Sequence, residues 1–112
     1  MAMIESYDFG RIVIDGRTYT RDVLIFPDRV LSSWWRKEGH AVGIEDLKEV
    51  LEFGPKTLVI GTGRSGLLKV KDETCECLKS EGIEVIVEST EKACDVLNSL
   101  GANAVGAFHL AC

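Results

Sequence analysis

The chain predicts an α/β fold, a layered single domain with a mixed central sheet flanked by about three helices and an N-terminal antiparallel β unit. Three observations lead there. An Asp15-Gly16 pair joins two β-type runs near the start, and the apolar run Thr57-Leu58-Val59-Ile60 stands mid-chain. From that run onward strand and helix patterns alternate, which implies right-handed crossovers onto a sheet. At 112 residues the chain is one domain, 1–112, with room for a single core but not for both halves of a full dinucleotide-binding fold.

The elements follow in order. A short edge strand is expected around residues 4–7, then strands over 11–14 and 17–20, because Asp-Gly supplies the positive φ values of a two-residue hairpin turn. A further β segment over 22–26 stops at Pro27, which has no N–H to continue a ladder, and another spans 30–35. Ile44, Leu47, Val50 and Leu51 recur at helical spacing, so an amphipathic helix of about ten residues should run from there to Gly54-Pro55. The run at 57–60 reads as a strand buried on both faces. Beyond it, Val70, Thr74, Cys77 and Leu78 trace a helix over 71–80 that turns Cys77 to the core, and Gly82 is placed to end it. Residues 83–87 form the next strand. Ser89 or Thr90 caps a third helix, closed by Gly101, and residues 104–110 form a last strand of small residues.

Composition narrows the function. Acidic residues outnumber basic ones 18 to 13, giving a formal charge of −5 with no basic block, which argues against nucleic acid as a partner. No apolar run reaches membrane-spanning length, and residues 1–5 lack the features of a signal peptide, so a soluble, cytoplasmic protein is expected. The cysteines Cys75, Cys77, Cys94 and Cys112 all fall in the second half and read as free thiols. With only His40 and His109 beside them at unsuitable spacings, no metal site is assigned.

Two stretches remain as candidate sites. The first is the turn Gly61-Thr62-Gly63-Arg64-Ser65-Gly66, which fits GxGxxG and is followed, at the end of the next strand, by Glu88. Yet Leu67-Leu68-Lys69-Val70 intervene before the helix, whereas a phosphate needs the helix N–H groups inside the motif. The glycines then serve either a tight strand exit or a ligand crevice lined by Gly61, Thr62, Gly63, Arg64, Ser65, Glu88 and Thr90. The second stretch is Ser32 to His40. Adjacent strand residues face opposite ways, so at most one of Trp34 and Trp35 can sit in the core, and Trp34, Trp35, Arg36 and His40 together form a candidate partner surface. No nucleophile elbow, metalloprotease motif or Walker lysine is present, so no catalytic residue and no cofactor is assigned, and His109 reads as structural.

The run Leu58-Val59-Ile60-Gly61-Thr62-Gly63, the segment Gly82-Ile83-Glu84-Val85, Thr90 with Ala93, Asn98 before Leu100 and the closing small-residue strand together resemble a small uncharacterised α/β domain family. That family includes the mitochondrial NADH dehydrogenase (complex I) assembly factor 3 and a cytoplasmic adipogenesis-associated protein. Trp35, His40 and Glu45-Asp46-Leu47 also sit where its pattern places them. The resemblance implies a layered domain with no established enzymatic activity, whose members with a known role act by association. The chain departs from it at Arg64-Ser65-Gly66, at Cys94-Asp95-Val96 and in lacking a mitochondrial presequence, so the complex I role does not transfer. The expectation is a non-enzymatic interaction or assembly-type module that binds a protein partner or itself. The alternative is a small-molecule or nucleotide-binding protein using the crevice at residues 61–66.

Overall fold

The computed structural model describes residues 3–111. Asp15 and Gly16 take positive φ values of 49° and 79° and close β2 (Arg11–Ile14) onto β3 (Arg17–Tyr19). Strand β1 (Ile4–Asp8) pairs antiparallel with β2, which completes a three-stranded sheet. The next two strands, β4 (Val23–Ile25) and β5 (Val30–Ser32), do not extend that sheet. They pair antiparallel with each other and join the central one, so the N-terminal β region is divided between two sheets.

After β6 (Ala41–Val42) the expected first helix is a tight 3-10 turn, Ile44–Leu47, followed by a six-residue α1 (Lys48–Phe53). The buried Asp46 carboxylate accepts the Gly43 N–H at 2.9 Å and the Lys37 N–H at 3.1 Å, which fixes the entry and tightens the first turn. Gly54, in the left-handed region, ends α1. The apolar run becomes β7 (Thr57–Thr62), buried throughout. Val70 was expected on the following helix but lies in β8 (Lys69–Val70), which pairs parallel with β6. Helix α2 (Asp72–Ser80) buries Thr74 and Leu78, and Cys77 is only half-buried, like Cys75. The residues that face the sheet are four apart, Thr74 and Leu78, which rotates Cys77 off that face. Strand β9 (Glu84–Glu88), helix α3 (Thr90–Leu100), a short 3-10 turn and β10 (Ala104–His109) complete the chain.

The central sheet has the order β5-β4-β10-β7-β9. Strand β10 lies parallel to β7 and antiparallel to β4, and β9 is a parallel edge strand. Alternation along β7 separates two cores. Leu58 and Ile60 face Leu24, Phe26, Leu47 and Leu78 beneath α1 and α2, whereas Val59 faces Ala93 and Leu97 of α3 together with Ile12 and Ile14 of the small sheet. Asn98 pins the small sheet to α3, because its amide accepts the Ile4 N–H at 3.0 Å and donates to the Ile4 carbonyl at 2.9 Å. Three helices, a mixed central sheet and an antiparallel β unit are thus present as expected.

Candidate functional site

The carboxyl ends of β10, β7 and β9 lie side by side, with His109 opposite Thr62 and Gly61 opposite Glu88. This edge is where open α/β sheets bind ligands, and both expected groups of residues border it. The glycine turn is tied to the start of α3. The Gly63 N–H donates to Thr90 Oγ1 at 2.8 Å, and the Thr90 N–H donates back to the Gly63 carbonyl at 3.1 Å. The Thr90 hydroxyl in turn donates to the His109 carbonyl at 2.6 Å, linking three elements through one buried side chain.

The two glycines answer to this clamp. A Cβ at Gly61 would lie 2.8 Å from Thr90 Oγ1 and 3.2 Å from Thr90 Cα, too close for any side chain, and Gly63 has φ +98°. Thr62 is buried, its hydroxyl donating to the Glu88 carbonyl at 3.0 Å. Arg64 and Ser65 are exposed, and Glu88 is half-buried. Helix α2 starts only at Asp72 and carries Asp72 and Glu73 in its first turn, so no helix N-terminus faces the turn from that side.

A second cluster gathers at the same edge. Asp22, just ahead of β4, accepts the Leu110 N–H on Oδ1 at 2.9 Å and meets His109 Nδ1 with Oδ2 at 2.7 Å. Arg36 Nη1 lies 2.8 Å from the same Oδ2 as an ion pair, and the Arg36 Nε and Nη2 groups donate to the Gly39 carbonyl. Burial pushes the Asp22 carboxyl upward, but the bonds from His109, Leu110 and Arg36 outweigh it and hold the pKa below the usual value. Asp22 is therefore ionised, and the 2.7 Å contact assigns the Nδ1 proton of His109 to it. One atom is left over. His109 Nε2 is buried without a hydrogen-bond partner, whereas the buried Arg36 Nη1 has the Asp22 carboxylate at 2.8 Å. An orphaned buried polar group of this kind costs about 1–3 kcal/mol.

The segment from Ser33 to His40 covers this cluster as a strap. Strand β5 ends at Ser32 because Ser33 takes φ +63°, so the tryptophans sit on the strap and not on the expected strand. Trp34 is the inward one, 7% exposed, with its indole N–H donating to the Asp46 carbonyl at 2.9 Å. Trp35 is 75% exposed. Arg36, expected beside it on the outside, turns in over the Trp34 ring at 4.7 Å, while His40 stays exposed with its ring edge toward His109. Trp35, Leu24 and Leu31 border a groove of about 680 Å³, whose far wall carries Glu45, Lys48 and Glu49. It adjoins a shallower depression of about 520 Å³ over Ile44 and Leu51 that shares Glu45 and Lys48 and adds Glu52.

Sequence reasoning therefore found Gly61, Thr62, Gly63 and Thr90 as neighbours, but it missed Asp22 and set His109 aside. Their contact spans most of the chain and leaves no local spacing to read. The one available signal was a histidine inside a strand of otherwise small and apolar residues. Among the described residues no group of three or more His, Cys, Asp or Glu is placed to hold a metal, and no helix is long and apolar enough to cross a membrane.

Residues 4–109 match the family described as "Protein of unknown function (DUF498/DUF598)". Similar solved structures include a conserved hypothetical protein of Pyrococcus horikoshii, 26% identical with a TM-score of 0.85, covering 97% of this chain and 98% of that one. A protein of Bartonella henselae described as an outer membrane protein is 23% identical, with a TM-score of 0.83 and coverages of 98% and 95%. A Bordetella pertussis protein described as a Mth938-like domain is 18% identical, with a TM-score of 0.77 and coverages of 97% and 85%. These last two likenesses speak for the fold alone.

Proposed function

The chain belongs to the DUF498/DUF598 family, whose own description leaves function open, and we propose from the geometry that it is a protein-interaction module. The groove beside Trp35 receives an amphipathic segment of a partner, apolar on one side and basic on the other. The observation that supports this reading is Trp35 itself, a large aromatic 75% exposed at the mouth of an apolar groove. Buried aromatic anchors dominate association energies, and an unpaired one invites a partner. The charge of the wall selects the partner's sign. Glu45, Glu49 and Glu52 recur along one side of the 3-10 turn and α1, with Lys48 among them and Lys37 on the strap side of the groove, so acidic groups prevail on that wall. A second copy of this chain, at −5, would bring like charge to that wall.

The nucleotide alternative draws less support from the geometry, since the Gly63 N–H that would meet a phosphate already donates to Thr90. The test uses two synthetic helical peptides, one with leucine and lysine at amphipathic spacing and one with glutamate replacing lysine. Because Trp34 is already buried, a blue shift of tryptophan emission reports on Trp35. The expected result is a shift with the basic peptide that Trp35→Ala abolishes and the acidic peptide does not produce. Equal responses to both peptides, or none, would overturn the reading.

A further inference from the structure

We propose that His109 and Arg36 form a binding site for a small oxyacid, a phosphate or carboxylate that arrives with a proton which His109 takes up. The site is independent of the groove and lies beneath the strap from Ser33 to His40. Its basis is His109 Nε2, a buried nitrogen without a hydrogen-bond partner, beside the buried Arg36 guanidinium, whose Nη2 lies 3.3 Å from His109 Nδ1. The two side chains are only 9% and 6% exposed. A folded chain seldom leaves such a nitrogen unpaired unless something else binds there.

The charges determine what binds. Asp22 and Arg36 cancel as an ion pair, so with neutral His109 the cluster offers no net attraction to an anion. Asp22 holds Nδ1–H, and the only position open to a further proton is Nε2. When an oxyacid enters, its O–H bond breaks, an Nε2–H bond forms, and the imidazolium and guanidinium together face the oxyanion. No other bond changes. The groups facing His109 are Asp22 from the β4 lead-in and Arg36 and His40 from the strap. Beside it, Tyr7 of β1 donates to the Leu110 carbonyl at 2.7 Å, with Arg64, Glu91 and Cys94 within electrostatic reach of Tyr7.

Entry requires the strap to lift. Within it Trp34 is anchored to Asp46, but Trp35, Lys37, Glu38, Gly39 and His40 are exposed, and Arg36 is tied to the strap's own Gly39 as well as to Asp22. The Arg36 side chain can therefore move with the strap or remain as a donor when the strap opens.

Titration calorimetry of the full chain with inorganic phosphate, and separately with acetate, at pH 6 and pH 8 tests the proposal and distinguishes the two sources. Uptake of one proton predicts that affinity for acetate, ionised throughout this range, falls about tenfold per pH unit once His109 is neutral in the free protein, whereas phosphate, whose monoanion brings the proton with it, shows that fall only above its own second ionisation. His109→Gln should remove that pH dependence and weaken binding at least about tenfold, whereas His40→Gln should leave both in place. Because His109→Gln also alters the buried contact with Asp22, the imidazole nitrogen signals of the unmodified protein are followed by NMR during the same titrations. A His109 Nε2 signal moving to the protonated position as either ligand binds supports the site. Absence of heat and of His109 signal change with both ligands at about 10 mM, or binding that is insensitive to pH, would overturn it.

Discussion

Two buried polar side chains meet at the carboxyl edge of the central sheet, and they are finished to different degrees. Thr90 has both of its capacities used, donating to the His109 carbonyl and accepting from Gly63. His109, whose carbonyl Thr90 caps, has one ring nitrogen bound to Asp22 and the other without a hydrogen-bond partner. The difference separates architecture from opportunity. A satisfied clamp explains why the glycine turn has its shape, while an unsatisfied imidazole marks a place where a ligand would improve the fold's own hydrogen bonding.

That contrast can be broken first at Thr90. Thr90→Val keeps the shape but strands the Gly63 N–H and leaves the His109 carbonyl without its donor, and should destabilise the protein by about 2–5 kcal/mol in urea denaturation. A loss below about 1 kcal/mol would show that the clamp is incidental.

A smaller effect is expected at Asp22. Since its folded pKa lies below the ordinary value, its contribution is fully present above that value and is lost as pH falls through the folded one. Asp22→Asn should cost about 1–3 kcal/mol near neutrality and flatten the fall in stability below about pH 4. An unchanged acid limb in the variant would mean that other carboxylates govern it.

The smallest effect is expected at Arg64, exposed on the glycine turn. Arg64→Ala should alter stability by no more than about 0.5 kcal/mol, measured in the same way. A larger loss would mean that its electrostatic reach to Tyr7 contributes to the fold.

The contrast also marks what could be read from the chain. Periodicity and turn chemistry identified the Asp15-Gly16 hairpin, the buried β7 and the caps at Gly54 and Gly101, because each is decided by residues a few positions apart. The same locality brought Gly61, Gly63 and Thr90 under suspicion, although their mutual role emerged only when α3 was packed against β7. What depends on distant partners was not legible. Asp22 gains its meaning from His109, Asp46 from Trp34 and Lys37, and Asn98 from Ile4. The two-residue strands β6 and β8 carry too few residues for any pattern, and Ser33 in the left-handed region ended β5 without a glycine to announce it.

The position of β10 has a consequence for how the molecule is made. Among the described strands it is the last in order yet the middle one of its sheet, hydrogen-bonded to β4 on one side and β7 on the other. A chain leaving the ribosome can form the β2–β3 hairpin early, since its contacts are local. Strands β4 and β7, however, share no ladder until residues 104–109 have slid between them, so until then both present unpaired edges. Formation of the central sheet is thus a collective event, and the chain depends on β10 pairing before those edges find other partners.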